Sequence, residues 1–420
     1  MGGSLSFFTR FEARTRDSEQ LPPNRYFASL CCKQSENSDM TTQASRENGA
    51  RRLGLVLGPV LFLLTLLFFQ PEGLSPQGRA VLASTLWVAV WWITEAVPIP
   101  VTSLLPIVLF PLTGGLPLAE TTAAFGHRLV FLYIGGFIIA IAIERWGLHR
   151  RIALNIIHLV GTNLARLVLG FMLATAFLSM WISNTATSVM MLPIGLAIVA
   201  QMRDNPATPK DEHLEFGKVL MLAIAYSASI GGVATLIGTP PNLVLAGVVQ
   251  ELYGVEITFA EWMKFGLPLS LLLLGLCWLY LTRLAYPLGR RSFPGGRAEI
   301  VRQLKALGRI GFEEKLVLAV FTLTAFAWIS RSYLLSRFLP GLDDTVIAIA
   351  SAVLLFLLPS GKKGVPLMRW SEAVKLPWGI ILLFGGGLAL AEGFRVSGLA
   401  AWIASQMTLL QGVALVVVVL

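Results

Sequence analysis

Six consecutive residues, Ser183, Asn184, Thr185, Ala186, Thr187 and Ser188, form a polar run between the apolar segments 163–181 and 189–202. Ser, Asn and Thr are good N-cap residues, so a second helix is predicted to begin inside this run. Its free N–H groups and positive dipole end then face the tip and suit a carboxylate. The carbonyls that end the preceding helix face the same place and suit a sodium ion. Ser179 lies one helical turn before Ser183, which directs its hydroxyl to the same point. Small polar residues can also act as glue between membrane helices, and that reading competes for Ser179 alone.

A second run, SASIGGVATLIGTPPN at 227–242, interrupts another apolar stretch. Pro240 and Pro241 remove two N–H donors and end a helix that starts near Lys218. The chain resumes apolar at 243–249. This reads as one span broken in mid-membrane. Freed carbonyls near Gly238 and the Thr239 hydroxyl are oxygen ligands for a hard cation or a dianion. A proline kink satisfied by neighbouring helices is the competing reading.

The elements that position these runs follow from composition. Of 420 residues, 55% are hydrophobic and 14% charged, where an ordinary soluble domain carries about 25% charged. Apolar blocks at 53–69, 81–97, 129–143, 267–281, 316–329, 345–358 and 379–391 show no polar face, so a bilayer is the expected solvent. The fold class is all-α integral membrane, and the protein belongs at the cell (inner) membrane. The net charge of +9 reflects basic loops under the positive-inside rule rather than nucleic-acid binding. Arg51 and Arg52 place the amino terminus in the cytoplasm, as does the basic stretch 283–315. By the same count the segment 163–202 enters and leaves on one side, as a re-entrant hairpin. Irregular backbone at that depth survives only where it is buried in protein or lines a wet cavity.

Residues 1–52 read as a disordered cytoplasmic tail; Glu12, Asp17 and Glu19 make it too acidic for a transit peptide. Met40 is a second candidate start. Residues 53–143 form first scaffold helices, 144–286 the hairpin and broken-helix elements, 287–314 a basic linker with a short surface helix, and 315–420 scaffold helices of a second repeat. That repeat rests on Gly135, Gly136, Gly147 and Leu148, which match Gly386, Gly387, Gly398 and Leu399 after a shift of 251 residues. The two segments run in opposite directions by the charge count, the signature of an inverted-repeat transporter.

The motifs SNTATSVMMLPI, GGVATLIGTPPN, WWITEAVPIPVTSLLP and LPWGIILLFGGGLALA resemble those of the divalent anion/sodium symporters, a family of sodium-coupled dicarboxylate, citrate and sulfate carriers. The resemblance covers residue 53 to the end. It implies that Ser179, Ser183, Asn184 and Gly238 hold sodium, and that Ser183, Asn184, Thr185 and Thr239 contact a substrate carboxylate. Pro240, Pro241 and Asn242 then shape the break. It also implies an elevator mechanism in a lipid-embedded homodimer. The family has a second SNT motif, which the 251-residue shift puts near position 434, beyond Leu420. The stretch 1–420 is therefore expected to lack half of the substrate site and a second sodium site.

Other classes fit less well. A proton-coupled anion carrier on a related fold needs a buried carboxylate at the hairpins, and SNTATS and LIGTPP contain none. An anion exchanger, or a citrate or sulfate carrier of the same family, stays open. A membrane enzyme needs paired acids or a histidine cluster at one face. Glu95, Glu392, Asp343 and Asp344 read as structural acids at span ends, and the four histidines and three cysteines show no metal spacing.

Overall fold

The computed structural model describes residues 49–161, 163–203, 210–288, 296–361 and 365–408. Residues 1–48 of the expected tail 1–52, with Cys31, Cys32 and Met40, and the end of the chain after 408 lie outside them, while residues 49–52 are not a disordered tail but the first turn of a helix that runs on into the apolar block. Among the described residues the protein is helical, with one isolated antiparallel bridge between Pro359 and Pro366. Seven helical stretches are long and apolar enough to cross a membrane. This is an all-α membrane architecture, as the composition predicts.

Helix α1 (Gly49–Phe68) turns outward apolar residues such as Leu53, Val56, Leu63, Leu67 and Phe68. Helix α2 (Pro76–Thr94) starts at a Ser75 N-cap and ends at Glu95, held at φ 46° and ion-paired with Arg51 at 3.7 Å. The proline-rich segment that follows is α3 (Ile99–Thr113), two short apolar helices split at Ser103–Leu104. Pro100 and Pro106 occupy the first turn of each piece, where no N–H is needed. Helix α4 (Arg128–Arg145) leads through Gly147 to α5 (Leu148–Val160). Then come α6 (Leu164–Ser179), α7 (Asn184–Arg203), α8 (Lys210–Val233), α9 (Pro240–Tyr253) and α10 (Phe259–Leu279). A short helix α11 (Gly296–Ala306) is the expected surface helix of the basic linker. Helices α12 (Phe312–Ser330), α13 (Asp344–Leu357), α14 (Trp378–Val396) and α15 (Leu399–Thr408) complete the described chain.

Two polar networks fix the ends of this bundle. At one end Arg145 bonds Glu372 and the Leu367 carbonyl, while Arg151 joins Glu314 to the Leu307 and Gly308 carbonyls. At the other, Arg128 meets Asp343 at 2.5 Å, and Arg331 meets Glu256 at 2.8 Å and Asp344 at 2.9 Å. Burial works against the Asp343 carboxylate, but the Thr345 amide and hydroxyl and the two guanidiniums hold it below its usual range. Its stabilisation is therefore present at neutral pH and lost as pH falls below the carboxylate range.

The two segments offset by 251 residues run antiparallel. Helix α4 starts at the acidic network and ends at Arg145, whereas α14 starts near Glu372 and ends at Arg395, 3.8 Å from Glu251. Each ends in a glycine of positive φ, Gly147 at 70° and Gly398 at 73°, followed by a helix. Gly135 lies against the backbone of Ala348 on α13, and Gly386 lies against Ser103 in α3. A Cβ would sit 2.7 Å from the Ala348 carbonyl carbon in the first case and 2.5 Å from the Ser103 oxygen in the second. Gly135→Ala and Gly386→Ala should each lower stability by about 1–3 kcal/mol, the usual cost of overpacking. Gly275→Ala meets nothing within 4 Å and should be neutral or slightly stabilising. Thermal unfolding in detergent separates the two outcomes.

Candidate substrate and cation site

The polar run is a helix junction. Helix α6 is capped at its start by the Asn163 side chain and ends at Ser179; α7 begins at Asn184. Ser183 is the N-cap, its Oγ accepting from the Ala186 amide at 3.3 Å. Sixteen residues of α6 rise about 24 Å, enough to carry the tip past the middle of a hydrocarbon core roughly 30 Å thick. The second run breaks where the prolines require: α8 ends at Val233, residues 234–239 are non-helical, and α9 begins at Pro240.

The two breaks meet. Gly231 packs on the Ala176 backbone so closely that a Cβ would lie 2.3 Å from its oxygen. The Asn184 amide lies against Gly232, and Gly238 lies against the Gly232 carbonyl. The Thr235 hydroxyl donates to the Met180 carbonyl at 2.5 Å, tying the second break to the end of α6. Asn242 secures the junction from inside, its Nδ2 donating to the carbonyls of Gly232 at 2.9 Å and Thr235 at 2.7 Å.

An oxygen cluster results. Ser179 Oγ lies 2.7 Å from Asn184 Oδ1 and 2.6 Å from the Ala228 carbonyl oxygen. One hydroxyl proton serves only one of those acceptors, so the three oxygens together have more lone pairs than donors. Thr175 and Thr187, about one turn away along α6 and α7, and Ser227, next to Ala228 in the chain, are also buried hydroxyls with no partner. No carboxylate, thiol or imidazole joins them, and among the described residues no cluster of His, Cys, Asp or Glu is arranged for a metal. Neutral oxygens in this number fit a hard monovalent cation such as sodium.

Thr185 and Thr239 are different. Thr185 is exposed in the first turn of α7, and Thr239 is the half-buried N-cap residue of α9. Thr239 makes no capping bond, and among the described residues neither hydroxyl has a protein partner. Each stands at a helix N-terminus, where unpaired N–H groups and the dipole favour an anion. A narrow cleft lined by Tyr133, Gly136, Phe137, Trp181, Ser183 and Ile237 brings α4 against both breaks. A larger cavity of about 590 Å3 lies apart, at Arg128 and Thr345, with apolar walls.

The structure thus gathers Ser179, Ser183, Asn184, Gly238 and Asn242 around one point, with Thr185 and Thr239 at the two helix starts and Pro240 and Pro241 in the first turn of α9. Thr235 and the Ala228 carbonyl belong to the same cluster and are not among the sequence candidates. Thr235 sits inside the second run; the Ala228 carbonyl has no sequence signal. Trp181 is also new. It stacks on Phe259 and Trp328 with centroids 6.0 and 6.4 Å away, and it meets Phe321 edge-on at 4.9 Å. The acids singled out at span ends are engaged elsewhere: Glu392 with Arg395, Asp343 and Asp344 in the network of Arg128 and Arg331.

The family model described as "Sodium:sulfate symporter transmembrane region" matches residues 50–420. The protein named sodium-dependent dicarboxylate transporter SdcS of Staphylococcus saprophyticus subsp. saprophyticus is 48% identical over 379 residues, covering 89% of this chain and 73% of the relative. Its namesake in Staphylococcus aureus (strain USA300) is 47% identical over 374 residues, covering 88% and 72%.

Replacing Asn242 by Ala removes two donors from buried carbonyls. At about 1 kcal/mol each, the variant should unfold with roughly 2 kcal/mol less stability. Unfolding within 0.5 kcal/mol of the parent would show that other groups hold the break.

Proposed function

The chain belongs to the sodium:sulfate symporter family, and on that premise we propose that it carries small dicarboxylates across a membrane together with sodium ions. The observation that supports this most is the meeting of two helix starts, each with a free threonine hydroxyl, beside a cluster of neutral oxygens. Helix N-termini suit carboxylate oxygens; the carbonyls, hydroxyl and amide oxygen suit sodium. Ser179, Ser183, Asn184 and the Gly238 backbone are assigned to the cation. Ser183, Asn184, Thr185 and Thr239 are assigned to one substrate carboxylate. The names of the staphylococcal relatives favour dicarboxylates over sulfate.

The amino terminus is assigned to the cytoplasm of the cell membrane, on the side of Arg145, Arg151 and the linker. The antiparallel α4 and α14, with their matched glycines, support an inverted repeat. We assign α6–α10 to a moving body that slides as an elevator against α1–α4 and α12–α14 in a homodimer. The surface helices α5 and α11 join the two.

Energetics set the coupling. Carrying a dianion into a negative-inside cell opposes roughly 4.6 kcal/mol per 100 mV. Two sodium ions cancel that charge, and three let the potential drive uptake. Succinate should therefore evoke inward current in vesicles or cells bearing the full-length protein. Electroneutral uptake would refute the three-ion scheme.

Residue roles are separable. Ser183→Ala and Asn184→Ala should abolish sodium-dependent uptake, with lithium and choline as controls, while folded protein stays at parental levels. Thr239→Val should raise the succinate KM by about ten- to a hundredfold, the loss of one hydrogen bond to a charged group, and leave the sodium dependence in place. Ser179→Ala should instead raise the sodium concentration at half-maximal rate. Parental uptake by Ser183→Ala and Asn184→Ala together would remove the assignment.

A further inference from the structure

The basic end of the bundle holds a pocket that the transport reading does not use. Helices α5, α7 and α11 surround a cavity of about 340 Å3, walled by Leu154, Pro193, Ile194, Ala197 and Leu307, with Arg150 at its rim. Leu154 and Ile194 are buried, whereas Arg150 is exposed. Adjacent arginines behave differently here. Arg151 is committed to Glu314 and to the Leu307 and Gly308 carbonyls. Among the described residues the Arg150 side chain has no hydrogen-bond or ion-pair partner, and nor have the side chains of Lys305 and Arg309, exposed at the end of α11 and just beyond it. Arg302, by contrast, is neutralised by Glu299 at 2.7 Å.

The host helices are surface helices. Helix α5 buries Leu148, Ala153, Leu154 and Ile157 on one face and exposes Arg150 and Asn155 on the other. Helix α11 buries Ile300 and presents Lys305 outward. Amphipathic helices with basic polar faces lie in the headgroup plane of a membrane, and basic pockets between membrane helices take anionic headgroups. The slot is walled mainly by apolar side chains, with Gln303 beside them and Arg150 among its lining residues, while Lys305 and Arg309 lie next to Ala306 and two residues beyond Leu307 in the chain. We propose that this pocket binds an anionic phospholipid, its acyl chain between α7 and α11 and its phosphate on Arg150. Charge chooses the occupant: three unpaired cations favour a net-negative headgroup, and a zwitterionic one cannot neutralise them. A cavity of about 340 Å3 falls in the size range of small-ligand pockets.

The pocket touches the second hairpin helix on one side and the linker on the other, so an occupant bridges the two. The test does not depend on transport. Purified full-length protein in detergent is titrated with phosphatidylglycerol or phosphatidylcholine, and bound lipid is counted by native mass spectrometry. Phosphatidylglycerol should bind as a discrete adduct, and Arg150→Gln should weaken it about fivefold, the equivalent of roughly 1 kcal/mol for one basic group near an anionic surface. Ala197→Phe, which fills the slot without changing charge, should weaken it as well. Arg283→Gln, a basic residue outside the pocket, should leave binding unchanged. Equal binding of the two lipids, equal loss in Arg283→Gln, or full displacement by inorganic phosphate would each overturn the proposal. Unaltered thermal unfolding of the variants without added lipid confirms that they fold.

Discussion

Backbone that leaves a helix inside a bilayer has no water to bond, and every other feature of this protein follows from how that debt of hydrogen bonds is met. Helix α8 stops at Val233, and its last carbonyls are covered from the side. Ser270 donates to Ile230 at 2.8 Å, Asn242 to Gly232 and Trp262 to Val233 at 2.9 Å. Met180, at the end of α6, receives Thr235. Among the described residues, the buried side-chain groups left without a hydrogen-bond partner include Thr175, Thr187, Ser227 and the Trp181 indole, all on the segments that flank the two breaks.

Rigidity around that point comes from small residues and aromatic rings rather than from charge. Glycines at 231, 232 and 238 let backbones touch, since a side chain at any of them would collide with a carbonyl or with Asn184. Trp181 ends the hairpin approach on a stack with Phe259 and Trp328, and Trp328 donates to the Asp344 carbonyl. The Phe259 amide donates to the Asp344 side chain at 2.9 Å. The hairpin tip is thereby linked, through rings and one aspartate, to the ion-pair network at the far end. Any displacement of the tip relative to α10 and α12 would slide or unstack those rings.

Much of this was legible in the sequence because two strong constraints act locally. Length and apolarity mark the spans, and paired prolines with an Ser-Asn-Thr run mark the places where helices stop and start. The helix break at Ser183, the interruption at 234–239 and the short helix of the basic linker appear at the expected positions. Helix α5 was not among the expectations, although Leu148, Ile152, Ile156 and Ile157 have helical spacing; its charges drew the reading toward a loop. Carbonyl ligands such as Ala228 are illegible in principle, because any residue type supplies the same oxygen. Nor does spacing reveal that Glu251, Glu392, His127 and Arg395 converge, since α4, α9 and α14 are far apart in the chain.

The cluster around Ser179 contains dipoles but no formal charge. A cradle of this kind attracts a lone cation only modestly, and the neighbouring helix starts attract a lone anion only modestly as well. On the proposed transport reading, a cation and an anion placed together would screen each other, and each would deepen the well of the other. Coupling would then need no separate latch or sensor, because a half-loaded carrier would be the unfavourable electrostatic state.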